Sequence, residues 1–102
     1  MRGKIYEGIH NDRYGGMTVT GAIVKDAWIF GLIPESETCE GWSLDRMQLL
    51  YDQVAEQRER LGFEIAKYPP EIRERHERIH REAIERARAL GWDADRDISD
   101  EG

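Results

Sequence analysis

The sequence predicts an all-α fold, a small three-helix domain, and three of its patterns carry that prediction. The segment from Thr18 to Pro34 holds only two charges, Lys25 and Asp26, although 35% of the chain is charged. Two later segments, about 43–61 and 70–90, repeat apolar residues at the spacing of an amphipathic helix. A chain of 102 residues forms one domain, so the apolar segment is expected to be its central helix.

Residues 1–17 are predicted to form an irregular arm laid over the core. Their apolar side chains Ile5, Ile9 and Tyr14 are scattered among charges, and the Gly15-Gly16 pair interrupts any regular element. A short strand at residues 4–9 is the alternative. That strand has no partner elsewhere in the sequence, so the arm is preferred.

The first helix is predicted at about residues 19–30. Thr18 or Thr20 can accept a hydrogen bond from the free amides of its first turn. Gly31 suits the left-handed position after the helix, and Pro34 prevents its resumption. A helix that is apolar on nearly all sides is buried. A strand over residues 17–24, which are rich in β-branched side chains, is the competing interpretation.

Lys25 and Asp26 are expected to form a narrow polar edge on this first helix. Asp26 can cap, pair with Lys25 or with an arginine of the third helix, or lie exposed. A buried carboxylate would have a raised pKa and could act as a general acid. Pairing or exposure is the preferred interpretation.

The second helix is predicted at about residues 43–61, after an acidic loop at residues 34–42. Ser43 is its cap, Asp45 suits the helix dipole in the first turn, and Gly62 ends it. Its apolar face repeats at helical spacing: Leu44, Met47, Tyr51, Val54 and Leu61. This is an ordinary amphipathic helix.

The third helix is predicted at about residues 70–90, from Pro70 to a stop at Gly91. Its apolar stripe is thin, and the rest is dense in charge. Four acidic-before-basic pairs at i,i+4 stabilise such a helix by ~0.3 kcal/mol each: Glu71–Arg75, Glu74–Arg78, Glu77–Arg81 and Glu82–Arg86. The acidic tail at residues 93–102 is expected to be disordered.

Composition excludes several classes of function. A net charge of -6, with 21 acidic and 15 basic residues, repels phosphate backbones, so nucleic acid is not an expected partner. No apolar run is long enough to span a membrane, and the N-terminus lacks the apolar core of a signal peptide. A cytoplasmic protein is therefore expected.

The single cysteine, Cys39, precludes an intrachain disulfide. Its acidic neighbours, Glu37 and Glu40 among them, disfavour the reactive thiolate. Cys39 is accordingly expected to have no chemical role.

One short motif indicates chemistry. The run His76-Glu77-Arg78-Ile79-His80 fits H-E-x-x-H and resembles the zincin metalloprotease motif over these five residues. The resemblance implies zinc as cofactor, His76 and His80 as ligands, and Glu77 as general base. The sequence departs from that family in its highly charged flanks and in lacking a third ligand on a separate element. Packing of both histidines against the core, with no cofactor, is the preferred interpretation.

The predicted function is a non-enzymatic protein-interaction module that binds itself as a homodimer and also binds another, unidentified protein. In a domain of three short helices, one of them apolar on nearly all sides and another mostly charged, the central helix can be buried completely only with difficulty. We therefore expect a two-fold contact through side chains of the first helix that stay exposed on the monomer: Ile23, Val24, Trp28 and Ile29. A metal-binding protein using His76 and His80, with hydrolytic activity in its strongest form, is the alternative.

Overall fold

The computed structural model describes residues 4–93, and these form three α-helices joined by turns and loops. The helices are α1 (Val19–Ile29), α2 (Leu44–Leu61) and α3 (Pro70–Ala89). Within this part of the chain no β-strand is present, and Ile5 and Ser43 form an isolated bridge. The all-α prediction is confirmed, whereas the tail predicted to be disordered lies, apart from Asp93, outside the described residues.

The helix ends follow the capping residues of the sequence. Thr18, not Thr20, caps α1, and its hydroxyl accepts a hydrogen bond from the Gly21 amide at 3.0 Å. Ser43 caps α2 in the same way through the Arg46 amide. Gly31 follows α1 with a φ of 73°, as a left-handed residue after a helix requires. The strand alternative for residues 17–24 is wrong.

The core is built around α1, which contacts both α2 and α3. Val24 and Ile29 of α1 are shielded from solvent, as are Ile9 of the arm and Cys39 of the α1–α2 loop. The other buried members of this cluster come from all three helices and the arm: Tyr6, Ala27, Trp28, Met47, Leu50, Val54 and Ile79. The central position predicted for the first helix is therefore confirmed.

The arm is ordered over its described residues and belongs to the core. The Tyr6 amide donates to the Trp42 carbonyl and the Gly41 amide donates to the Tyr6 carbonyl, both at 2.8 Å. Two short 3-10 turns follow, Ile9–Asn11 and Arg13–Gly15. These contacts replace the partner strand that the sequence lacks, so the arm prediction holds for residues 4–17.

The arm crosses α1 at a glycine contact. A Cβ atom on Gly21 would lie 2.1 Å from the Gly16 carbonyl oxygen, so only glycine permits this approach. Lys25 of the same helix is buried, with 7% of its surface exposed, and its ammonium contacts the Met17 sulfur of the arm. The polar edge expected at Lys25 and Asp26 is therefore wrong for Lys25.

The residues predicted for self-contact need the same correction. Val24, Trp28 and Ile29 lie inside the core of the single chain, because the arm, α2 and α3 together cover α1. Ile23 alone of the four is partly exposed. The expectation that all four remain exposed on a monomer is wrong for three of them, while the homodimer itself stays a prediction.

Candidate functional site

An open groove of about 500 Å³ lies where the arm meets α1 and α2. Its floor contains the buried side chains of Tyr6 and Met47. Its walls are partly apolar and carry one basic and one acidic side chain, Lys4 and Glu7. The groove therefore offers apolar area together with charges of both signs.

The local sequence explains why the groove forms there. The bridge between Ile5 and Ser43 sets the arm beside the first residue of α2, Leu44. Met47 and Tyr51 lie three and seven positions after Leu44, so the three residues share the face of α2 that is next to the arm. Because the arm pairs with the loop before α2, the apolar stripe of α2 forms one wall of the groove.

Three large apolar side chains around the groove are exposed. Ile5 is 64% exposed, Leu44 55% and Tyr51 48%. Ile23, the partly exposed residue of the predicted contact, also lines the groove. The apolar stripe of α2 could be predicted from its helical spacing, whereas the position of Ile5 could not, because nothing in an irregular arm indicates which side chain will adjoin a helix.

Within the arm, Asp12 anchors the start of α1. One of its carboxylate oxygens accepts hydrogen bonds from the hydroxyls of Tyr6, at 2.6 Å, and Thr18, at 2.5 Å. Burial acts in the opposite direction, but these two bonds and one from the Arg13 amide hold the pKa of Asp12 below its usual value. Asp12 is therefore an ionised group that fixes the arm to the capping residue of α1.

Lys25 is the buried cation of this region. Its ammonium lies 3.9 Å from the Met17 sulfur, a weak acceptor. Burial lowers the pKa of Lys25, and Arg86 lowers it further, while Asp26 and Asp12 oppose the change. Because Lys25 is inaccessible and adjoins no described cavity, we interpret it as a structural cation.

The predicted histidine pair does come together on α3. The centres of the imidazole rings of His76 and His80 lie 4.3 Å apart, and both side chains are partly buried. Burial is the main cause that lowers the pKa of His80, and the neighbouring His76 is the second. A close imidazole pair of this kind disfavours protonation of His80.

The described residues add no third metal ligand to this pair. Within residues 4–93, no group of three His, Cys, Asp or Glu side chains is placed to hold a metal ion. Glu77, the predicted base, is exposed beside the two histidines in the sequence. The geometry therefore gives no specific support to the zinc alternative, which stays a hypothesis about His76, His80 and Glu77.

Cys39 lies buried in the α1–α2 loop. Burial, reinforced by the charge of Glu37, raises the pKa of its thiol to about 11. The thiolate is therefore scarce at neutral pH. Its φ of 64° places it among the few left-handed residues, and its amide bonds to the Glu37 carboxylate at 3.0 Å.

Comparison with known proteins gives no family to which the chain can be assigned: no family model, no curated protein and no solved structure matches it. Over residues 4–93, none of the helices has both the length and the apolar character needed to cross a membrane. The function must therefore be argued from the surface and its chemistry.

Proposed function

We propose that this protein is a non-enzymatic interaction module whose groove pairs with the same groove of a second copy. The observation that carries the proposal is the exposure of Ile5, Leu44 and Tyr51 around a single groove. Contiguous exposed apolar area rimmed by polar residues is typical of protein–protein contact sites.

A second copy suits the groove because its charges are self-complementary. In a two-fold contact, each residue of one copy meets a different residue of the partner, and the reverse contact forms as well. Lys4 can then meet the partner's Glu7, and Glu7 the partner's Lys4. The net charge of -6 on each copy opposes association at long range, but salt at physiological concentration screens it beyond about 8 Å.

The test uses two substitutions of the same type on α2. Leu44→Glu puts a charge into the groove, and at the first position of the helix this charge suits the dipole, so the monomer should still fold. Leu49→Glu is the matched control, because Leu49 is 64% exposed but does not line the groove. Circular dichroism checks that both variants keep their helices.

Sedimentation equilibrium at micromolar concentration should show a dimer for the original protein and for Leu49→Glu, and a monomer for Leu44→Glu. A monomer for the original protein at every concentration overturns the proposal. Equal dimerisation of both variants would move the contact away from this groove.

A further inference from the structure

A second cavity, of about 350 Å³, opens where α1 ends. It is lined by residues 31–35 together with Trp28 and Arg75, and it shares no residue with the groove. Four of its seven lining residues have apolar side chains, Trp28, Leu32, Ile33 and Pro34, and the wall as a whole is divided about equally between polar and apolar atoms. Its volume is near the lower end of the range for small-molecule sites, roughly 300–1,000 Å³, so it suits a small ligand.

Arg75 supplies a cation to this cavity that the rest of the described chain leaves unpaired. Its Nε atom is buried without a hydrogen-bond partner. The pair with Glu71 that helical spacing predicts does not form, and no carboxylate within residues 4–93 lies at ion-pair distance from Arg75. A buried polar atom without a partner is uncommon in folded proteins, and here it belongs to a guanidinium whose charge the described residues leave available to a ligand.

Glu35, the acidic residue of the cavity, does not supply the missing acceptor. Both of its oxygens accept hydrogen bonds from Arg78, from Nη1 and Nη2 at 2.9 Å each. These bonds are the main reason why the pKa of Glu35 is lowered, and Arg75 contributes less. Arg78 thus engages Glu35, and the positive charge of Arg75 remains at the cavity.

We propose that this cavity binds a small carboxylate with an apolar body. The Nη groups of Arg75 hold the carboxylate, because its Nε is shielded and a guanidinium matches the two oxygens of a carboxylate. The apolar body lies against Leu32 and Ile33. The indole N–H of Trp28 already donates to the Glu37 carbonyl at 2.9 Å, so Trp28 offers the ligand its apolar surface.

The test uses phenylacetate as the probe, with phenylacetamide and acetate as matched controls for its charge and its apolar body. Each is titrated into ¹⁵N-labelled protein and followed by two-dimensional NMR. Phenylacetate should shift the amides of Gly31 and Ile33 and saturate. Since a charge-assisted bidentate contact is lost, phenylacetamide should bind about tenfold or more weakly, and acetate should bind more weakly than phenylacetate.

Arg75→Gln should weaken phenylacetate binding to the level of phenylacetamide. Arg81→Gln, an exposed arginine of the same helix outside the cavity, should leave it unchanged. Equal binding of phenylacetate and phenylacetamide overturns the role of the charge without requiring any variant. If acetate binds as tightly as phenylacetate, the apolar contact is overturned. If phenylacetate shifts only amides in other parts of the chain, the site itself is overturned.

Discussion

Asp26 of α1 accepts a hydrogen bond from Arg58 of α2, with its Oδ2 at 2.5 Å from Nη2. Asp26 is 17% exposed and Arg58 35%, so the ion pair is partly shielded from water. The same guanidinium lies 5.8 Å from the centre of the Phe30 ring. Arg58 therefore joins α2 both to the last turn of α1 and to Phe30, the residue that follows the helix.

Removing this pair should destabilise the fold moderately. Asp26→Asn is expected to lower the free energy of unfolding by about 1–2 kcal/mol, since a partly buried charged hydrogen bond is lost. Arg58→Ala should cost more, because its contact with Phe30 is lost as well. Urea unfolding of both variants and of the double variant gives the coupling energy. Coupling near zero would contradict the interaction, and Glu56→Gln, which loses an exposed pair with Arg60, is the control for a weak pair.

Lys25→Met should stabilise the protein at neutral pH. Methionine keeps the length of the side chain and removes a charge from a site that is 7% exposed, so we expect a gain of about 1–2 kcal/mol. The pKa of Lys25 is lowered in the folded state, so the unfolded chain binds the proton more tightly. Stability of the original protein therefore rises as pH increases toward 10.5, the ordinary value.

The advantage of Lys25→Met should accordingly shrink between neutral pH and pH 10. Thermal unfolding across that range measures it. Lys67→Met is the matched control, since Lys67 is exposed and its ion pair among the described residues is with Glu64, three positions earlier, at 3.3 Å. A loss of stability in Lys25→Met at neutral pH would mean that the buried ammonium has a better partner than the Met17 sulfur.

The helices could be predicted from the sequence because their signals are local. Thr18, Ser43 and Pro70 mark three beginnings, and glycines mark the ends, so the predicted bounds lie within one residue of those observed. The central position of α1 followed from its lack of charge. These features need no knowledge of how the helices are arranged.

The candidate sites could not be predicted in the same way because they depend on contacts distant in sequence. Ile5 lines the groove only because the arm pairs with the loop before α2. Arg75 was expected to pair with Glu71 on its own helix, whereas it lies at the cavity beside residues 31–35. Periodicity places a side chain on a helix face, but it does not show what packs against that face.

The histidines predict a loss of stability in mild acid. The pKa of His80 is lowered mainly by burial. The charges of His76, Lys25 and Arg58 lower it further, while Asp26 acts in the opposite direction. The unfolded chain therefore takes up the proton first, so the contribution of His80 to stability should be constant above about pH 6.5 and should fall as pH decreases through that value. Urea unfolding between pH 5 and pH 8 measures the slope above the range in which most carboxylates titrate.

His80→Gln should reduce this slope, whereas His10→Gln, at an exposed position of the arm, should leave it unchanged. Identical slopes for the two variants would show that His80 does not cause the pH dependence. Added zinc serves as a further probe of the pair: a rise in melting temperature that His76→Ala abolishes would support the metal alternative.

Gly21→Ala tests whether the arm holds α1 in place. In an ordinary helix this change stabilises by about 1 kcal/mol, but here the new Cβ would lie 2.1 Å from the Gly16 oxygen and 2.6 Å from two further backbone atoms of Gly16. The arm must then shift, and it carries the fully buried Ile9. We expect a net loss of about 2–3 kcal/mol, as for other overpacked sites. Hydrogen exchange of the Ile9 amide, which donates to Thr38 at 3.0 Å, should become faster.

Ala22→Gly is the control for helix propensity at the neighbouring, exposed position of α1, and it should cost about 1 kcal/mol without changing exchange at Ile9. The two substitutions are opposite in sense, so propensity alone predicts opposite signs for their effects. Destabilisation by both therefore isolates the contact between Gly16 and Gly21. A gain of stability in Gly21→Ala would mean that the arm does not cross α1 at this glycine.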